Sequence, residues 1–276
     1  MSTEVGTTST RRSATGYLPI ENYGLIWNMR TCALVGIDGS IDFILLDKDK
    51  GGYFSISPTN NTTFTTKQRY LPSSNILQTR YILEEGVIDL IDFFPRPKEL
   101  HVVAKLPKQT PFCESVAVQD VLKKWLVRRV ECIRGKLDLD VEIFPAFDYA
   151  RGEHTTEILL PNHPPGSLES KTVVFASENT RLQLDVTIDR GEEDVKFCPT
   201  VIFTKKQKPH MKGDGVVARI RLQEGQAISF VLRDDMPNHV TPEVRRKCWI
   251  NNNNQPKIIG SIGFRRTNTK VDGEKS

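Results

Sequence analysis

Trp125-Leu-Val-Arg-Arg-Val-Glu-Cys-Ile-Arg-Gly-Lys-Leu-Asp-Leu-Asp-Val-Glu-Ile143 alternates with a period of two, the period of an extended chain. In its second half Leu137, Leu139, Val141 and Ile143 share one face, and Asp138, Asp140 and Glu142 share the other. Side chains of a strand point alternately to its two sides, so this half predicts an apolar face on a core and a carboxylate face in water. Arg134-Gly135 separates it from Trp125 to Ile133, and the whole reads as two strands joined by a turn.

The same pattern recurs in both directions along the chain. Ala33, Val35 and Ile37 alternate up to Asp38-Gly39, and Ile41 and Phe43 resume the alternation, which predicts a hairpin with glycine at a positive φ. Leu77–Leu83 and Val87–Phe94 flank Glu84-Glu85-Gly86 in the same way. Leu182, Leu184, Val186 and Ile188 mark another strand. Val216 to Leu222 and Ile228 to Leu232 mark two more about Glu224-Gly225. Strands with one wet and one dry face, linked by glycine turns, predict an all-β fold, a large antiparallel β-sandwich, with a barrel as the competing closure. No long segment sustains a helical period; Glu114–Lys124 is at most a short helix.

The chain has 276 residues, 38% of them hydrophobic and 26% charged, which is enough to bury one sizeable core. Residues 1–16 are polar and predict a disordered tail, 17–236 the sandwich domain, and 237–276, with the run Asn251–Asn254, a truncated linker or frayed tail. The net charge of +4 is small and its basic residues are scattered, which argues against nucleic acid as a partner. No stretch approaches the roughly 20 apolar residues of a membrane span, and the first residues lack an apolar signal core. The expectation is a soluble, cytoplasmic protein. Cys32, Cys113, Cys132, Cys198 and Cys248 are odd in number and widely spaced, so buried free thiols are expected instead of disulfides or a zinc site. The sequons at Asn60 and Asn61 would then go unglycosylated.

No residue set carries a chemistry on its own. Asp138, Asp140 and Glu142 read as a solvated face, and exposed carboxylates of ordinary pKa make poor acids at neutral pH. Glu153, His154 and Glu157 could be imagined as metal ligands but lack a fourth partner, and His101, His163, His210 and His239 are scattered. Gly36-Ile-Asp-Gly-Ser40 lacks the Lys-Ser/Thr pair and following helix of a phosphate loop. The residues therefore indicate no catalytic set, no metal and no cofactor, and leave any ligand-binding residues unknown.

Six blocks in order resemble the trehalase-like N-terminal domain of glycoside hydrolase family 15. They are Tyr17–Phe43; Gly51-Gly-Tyr-Phe-Ser-Ile-Ser-Pro58; Arg69-Tyr-Leu-Pro72 with Asn75-Ile-Leu-Gln-Thr79; Asp89-Leu-Ile-Asp-Phe-Phe-Pro95; Trp125–Gly135; and Phe144-Pro-Ala-Phe-Asp-Tyr-Ala-Arg151. The resemblance runs from about Tyr17 to Asp234 and implies an antiparallel β-supersandwich. In that family the domain precedes an α/α toroid carrying the two glutamates of inverting α-glucoside hydrolysis, roughly 6.5–9.5 Å apart. No counterpart of the toroid is found in this sequence. The chain also departs from the family between Phe43 and Leu46–Gly52, where a Pro-Arg-Phe-Asp-Ser-Pro-like stretch is missing. At the other end, Cys248-Trp-Ile250 resembles the start of the helical linker and runs into the asparagines.

Within the matching blocks, Asp148 beside Tyr149 and Arg151 reads as a turn anchor or loop salt bridge ahead of a catalytic group. Arg30 and Asp42 lie in the opening block. Trp27, where the family typically has glycine, reads as packing against a core or interface ahead of stacking on a sugar ring. The expectation is a non-catalytic scaffold or docking module linked to carbohydrate metabolism, with a family 15 toroid or full-length relative, or a carbohydrate, as partner. The alternatives are part of an α-glucoside hydrolase working with a separate catalytic domain, and a truncated gene product.

Overall fold

A computed structural model describes residues 18–28, 31–45, 50–59, 63–95, 125–148, 151–159, 172–178, 180–191, 197–208 and 211–234, with only the backbone at 43–45 and 50–52. The ends expected to be disordered, the sequons, residues 114–124, Arg30 and the point of departure after Leu45 lie outside these described features.

A short 3-10 turn, Ile20–Asn22, precedes β1 (Tyr23–Trp27), β2 (Cys32–Gly36), β3 (Ser40–Leu45), β4 (Lys50–Pro58), β5 (Thr65–Tyr70), β6 (Leu77–Ile82) and β7 (Gly86–Phe93). There follow β8 (Leu126–Phe147), β9 (His154–Leu159), β10 (Thr172–Ser177), β11 (Arg181–Asp189), β12 (Thr204–Lys206), β13 (Gly215–Gln223) and β14 (Ala227–Asp234). They form one 14-stranded antiparallel network that branches at β8. Among the described residues no helix is long and apolar enough to cross a membrane.

The two strands expected about Arg134-Gly135 are a single strand of 22 residues. Gly135 takes a φ of +81° without reversing the chain, and a Cβ there would stand 2.0 Å from the Glu85 carbonyl oxygen. The ladder with β7 shifts by one residue beside it, pairing Val87 with Arg134 but Ile88 with Cys132. That bulge at Ile133 resets the alternation, so the inward residues change from Leu126, Arg128, Val130 and Cys132 to Leu137, Leu139, Val141 and Ile143. The first half lies between β7 and β14, the second between β4 and β13.

Two sheets result, in orders β5-β6-β7-β8-β14-β11-β10-β9 and β1-β2-β3-β4-β8-β13-β12. The turn at Glu224-Gly225 makes the same crossing: β13 and β14 pair with successive halves of β8 and not with each other. Its amides hold the bend, Glu224 N donating to Gly135 O at 2.9 Å and Gly225 N to Cys132 O at 2.9 Å. The sheets pack face to face, and among the described residues neither closes on itself, so the fold is a sandwich and not a barrel. Phe54 of β4 meets Phe230 of β14 edge-on at 6.1 Å, and the Tyr81 hydroxyl donates to Ile56 O across the layers.

The expected β2–β3 and β6–β7 hairpins are present, with Gly39 at φ +78°. The apolar series of β11, β13 and β14 line the core. Each fully buried Leu, Ile or Phe there contributes about 1.5–3 kcal/mol. One inward position of β8 is not apolar: Arg128 is fully buried. Its guanidinium donates to both oxygens of buried Asp92 at 2.8 and 3.2 Å, to Phe54 O at 2.6 Å and to Gly39 O at 2.8 Å. It lies 4.7 Å from the centre of the Phe54 ring and ties β7, an inner strand of one sheet, to the β2–β3 turn and the β4 backbone of the other.

Candidate functional site

The acidic face of β8 is the densest array of titratable side chains that the sequence marks out, and β13 answers it in register. Asp138 stands opposite Arg221 and Asp140 opposite Arg219. Arg221 Nη2 donates to Asp138 at 2.6 Å, and Arg219 Nε to Asp140 at 2.8 Å. Glu142 receives Lys208 Nζ at 2.7 Å, with Lys206 Nζ 3.6 Å away. The face is therefore a cross-strand ion-pair ladder and not a row of carboxylates solvated singly. The hydrogen bonds and charge of Arg221 hold the Asp138 carboxyl below the usual aspartate range. A carboxylate kept ionised in this way cannot deliver a proton to a leaving group at neutral pH.

At the end of the ladder Lys208 lies over a neighbouring pair of aromatic rings, its Nζ 4.5 Å from the centre of Tyr53 and 4.4 Å from that of Phe144. Sequence reasoning missed this cluster because Lys208 lies in an irregular segment far from both rings in the chain. Arg128 and Asp92 were missed for a different reason: both hold inward positions in otherwise apolar period-two series, Leu126-Arg128-Val130 and Ile88-Leu90-Asp92. A charge at such a position is the signal that could have found them.

The remaining singled-out residues are dispersed. Asp148, at φ +46°, accepts from Arg151 Nη2 at 3.0 Å in the turn after β8, as a turn anchor would; both are exposed, and Tyr149 lies outside the described residues. On β9, His154 and Glu157 are an odd number of residues apart and point to opposite sides; Glu153 and Glu157 are exposed. The His154 ring packs 5.1 Å from Phe147 and 6.3 Å from Phe175, and its Nε2 donates to Asp214 O at 3.2 Å. Burial lowers its pKa below the ordinary histidine value, against the pull of Asp214. His101, His163, His210 and His239 lie outside the described residues.

Asp42 accepts a hydrogen bond from the Tyr23 hydroxyl. Gly36–Ser40 is the β2–β3 turn, where Asp38 accepts from Ser40 N at 3.1 Å and Ser40 Oγ at 2.7 Å. Trp27 is not a core residue: it ends edge strand β1 with 38% of its surface exposed. The expectation of buried thiols holds for Cys132 and fails for Cys198, which is exposed in the irregular segment before β12; Cys32 is half-buried. Cys113 and Cys248 lie outside the described residues.

No family model matches the chain. It is 36% identical to a trehalase of Thermoplasma volcanium over 156 residues, covering 51% of this chain and 22% of that protein. It is 24% identical to trehalases of Mycolicibacterium smegmatis and Mycobacterium tuberculosis over 84% of its own length, covering 33% and 32% of theirs. The match thus spans about a fifth to a third of these relatives. The likenesses relate the chain to carbohydrate-acting hydrolases named trehalase.

Proposed function

We propose that the chain is a non-catalytic β-sandwich scaffold of the trehalase-like N-terminal type found in glycoside hydrolase family 15, a docking module and not a hydrolase by itself. The observation that carries this reading is the ladder on β8 and β13. The carboxylates best placed to act together each lie against a cation, Asp138 on Arg221, Asp140 on Arg219 and Glu142 on Lys208. Inverting hydrolysis needs one carboxyl protonated and one ionised on opposite sides of a glycosidic bond. A flat ladder of ion pairs offers neither the protonated member nor the facing geometry.

The extent of the match supports the same reading, since at least two thirds of each trehalase named above lies outside it. In this proposal residues 17–236 form the module, and hydrolysis belongs to a toroid supplied by the rest of the polypeptide or by a separate chain. The proposal places the module in the cytoplasm, supported by the free thiols of Cys32, Cys132 and Cys198.

The test is glucose release from trehalose, maltose and isomaltose by the purified chain. The expected result is no release above the buffer rate. Turnover that disappears on Asp138→Asn, Asp140→Asn, Glu142→Gln or Asp148→Asn would overturn the reading.

A further inference from the structure

Three large apolar side chains stand exposed where the two sheets meet edge to edge. Leu25 and Trp27 project from the outward side of β1, with 41% and 38% of their surface exposed, and Tyr70, at the end of β5, is 45% exposed. β1 is the edge of one sheet, and β5 pairs only with β6 at the edge of the other. The Tyr70 hydroxyl joins them, donating to Leu25 O at 2.9 Å and accepting from Leu25 N at 2.8 Å.

The polar groups around this patch are turned inward. Asn75 Nδ2 donates to Trp27 O, and Gln68 Nε2 donates to Thr79 Oγ1 at 3.1 Å with Val35 O 3.4 Å away. Two consequences follow. Leu25 N, Leu25 O and Trp27 O on the outward side of β1 are occupied, so a partner adding a strand here by main-chain pairing would have to displace these bonds. Among the described residues the hydroxyl of Tyr70 and the amide nitrogens of Asn75 and Gln68, which would otherwise orient sugar hydroxyls, are already engaged, so the patch presents mainly apolar area. Such a surface fits the apolar face of another protein domain better than a saccharide.

Resting on the scaffold reading above, we propose that Leu25, Trp27 and Tyr70 form the apolar centre of the interface with the catalytic part of a trehalase. The occupant is chosen on length: at least two thirds of each matched trehalase lies beyond the aligned segment. Contacts between domains of one polypeptide bury only about 600–1,500 Å². Two aromatic rings and a leucine can anchor an area of that size, because a few such residues carry most of the energy of an interface.

The experiment is a hybrid in which this chain replaces the matched segment of the Thermoplasma volcanium trehalase, made with the native patch and with Leu25→Glu/Trp27→Glu. The isolated chain with the same pair of substitutions serves as the folding control, since both side chains point outward. The expected native hybrid hydrolyses trehalose and melts as one unit. The expected substituted hybrid melts in two transitions and hydrolyses at least tenfold more slowly, while the isolated variant melts as the parent does. A substituted hybrid indistinguishable from the native one overturns the surface and leaves the scaffold reading standing. A native hybrid whose parts melt separately overturns both. If the isolated chain forms a dimer that the substitutions dissolve, the occupant is a second copy and the proposal falls; trehalose binding that the substitutions abolish defeats it equally.

Discussion

Replacing Arg128 by methionine tests how the sandwich is held together. Methionine keeps most of the buried volume but removes every polar contact of the guanidinium. Asp92 loses the partner of both its oxygens, and the carbonyls of Phe54 and Gly39 lose their donors from β8. Removing one member of a buried ion pair costs about 3–5 kcal/mol, since the other is left charged without water. For a protein of this size that corresponds to a fall in Tm of about 6–20 °C, at about 2–4 °C per kcal/mol.

Urea unfolding of the parent and Arg128→Met, fitted for both midpoint and slope, reads the loss directly. The pH dependence identifies its origin. Burial already pushes the Asp92 carboxyl up from its ordinary range, with Arg128 pulling the other way. Without that pull, the folded-state pKa rises further above the unfolded one. A carboxyl raised in this way favours the fold while protonated and penalises it as pH climbs through the folded value, so the deficit of Arg128→Met should be larger at pH 8 than at pH 5. Arg128→Met/Asp92→Leu should recover much of the loss but not all, because Phe54 O loses its Arg128 donor, at about 1–3 kcal/mol for a buried group left unsatisfied, whereas Gly39 O keeps Ile56 N at 3.2 Å. A single-variant loss below about 1 kcal/mol, within the range of an exposed ion pair, would refute the reasoning.

Three further outcomes are expected. Burial lowers the His154 pKa, so below about pH 6.5 the unfolded chain binds a proton that the folded chain refuses, and stability is lost as pH falls toward the folded value; urea midpoints at pH 8 and pH 5.5 should fall more for the parent than for His154→Gln. Gly39→Ala should destabilise far more than Gly225→Ala in thermal melts. Both glycines have a positive φ, at about 1–2 kcal/mol for a residue with a Cβ, but the new methyl would meet Tyr81 Oη at 1.9 Å and Ile56 O at 2.2 Å at position 39 and nothing within 4 Å at position 225. Timed alkylation read by peptide mass should label exposed Cys198 well before Cys132, whose thiol burial pushes up to about 11.

The strand faces of β2, β11, β13 and β14 were legible because each keeps a simple alternation against one core, and the β2–β3 and β6–β7 hairpins were legible from their turn residues. Their pairing was less so. The alternation of β8 moves from even-numbered to odd-numbered positions between Cys132 and Leu137, and a hairpin turn and a one-residue bulge leave the same trace in sequence. Which one forms depends on the strands lying on either side. The crossing at Glu224-Gly225 was hidden in the same way, since a local turn does not specify whether its arms pair. β5 and β9 carry weak patterns because they are edge strands with little to bury. The carboxylates of β8 were placed on the correct face, but their partners on β13 depend on a register between residues about 80 positions apart. Trp27 was read as packing against a core or an interface, and nothing local distinguishes an inward indole from one left at an edge, where the structure places it.

The most direct measurement is side-by-side trehalose hydrolysis by the isolated chain and by the hybrid that joins it to the remaining part of the Thermoplasma volcanium trehalase. Glucose is expected from the hybrid and none above background from the chain alone. Sustained glucose release by the isolated chain, abolished by neutralising one of its own carboxylates, would contradict it.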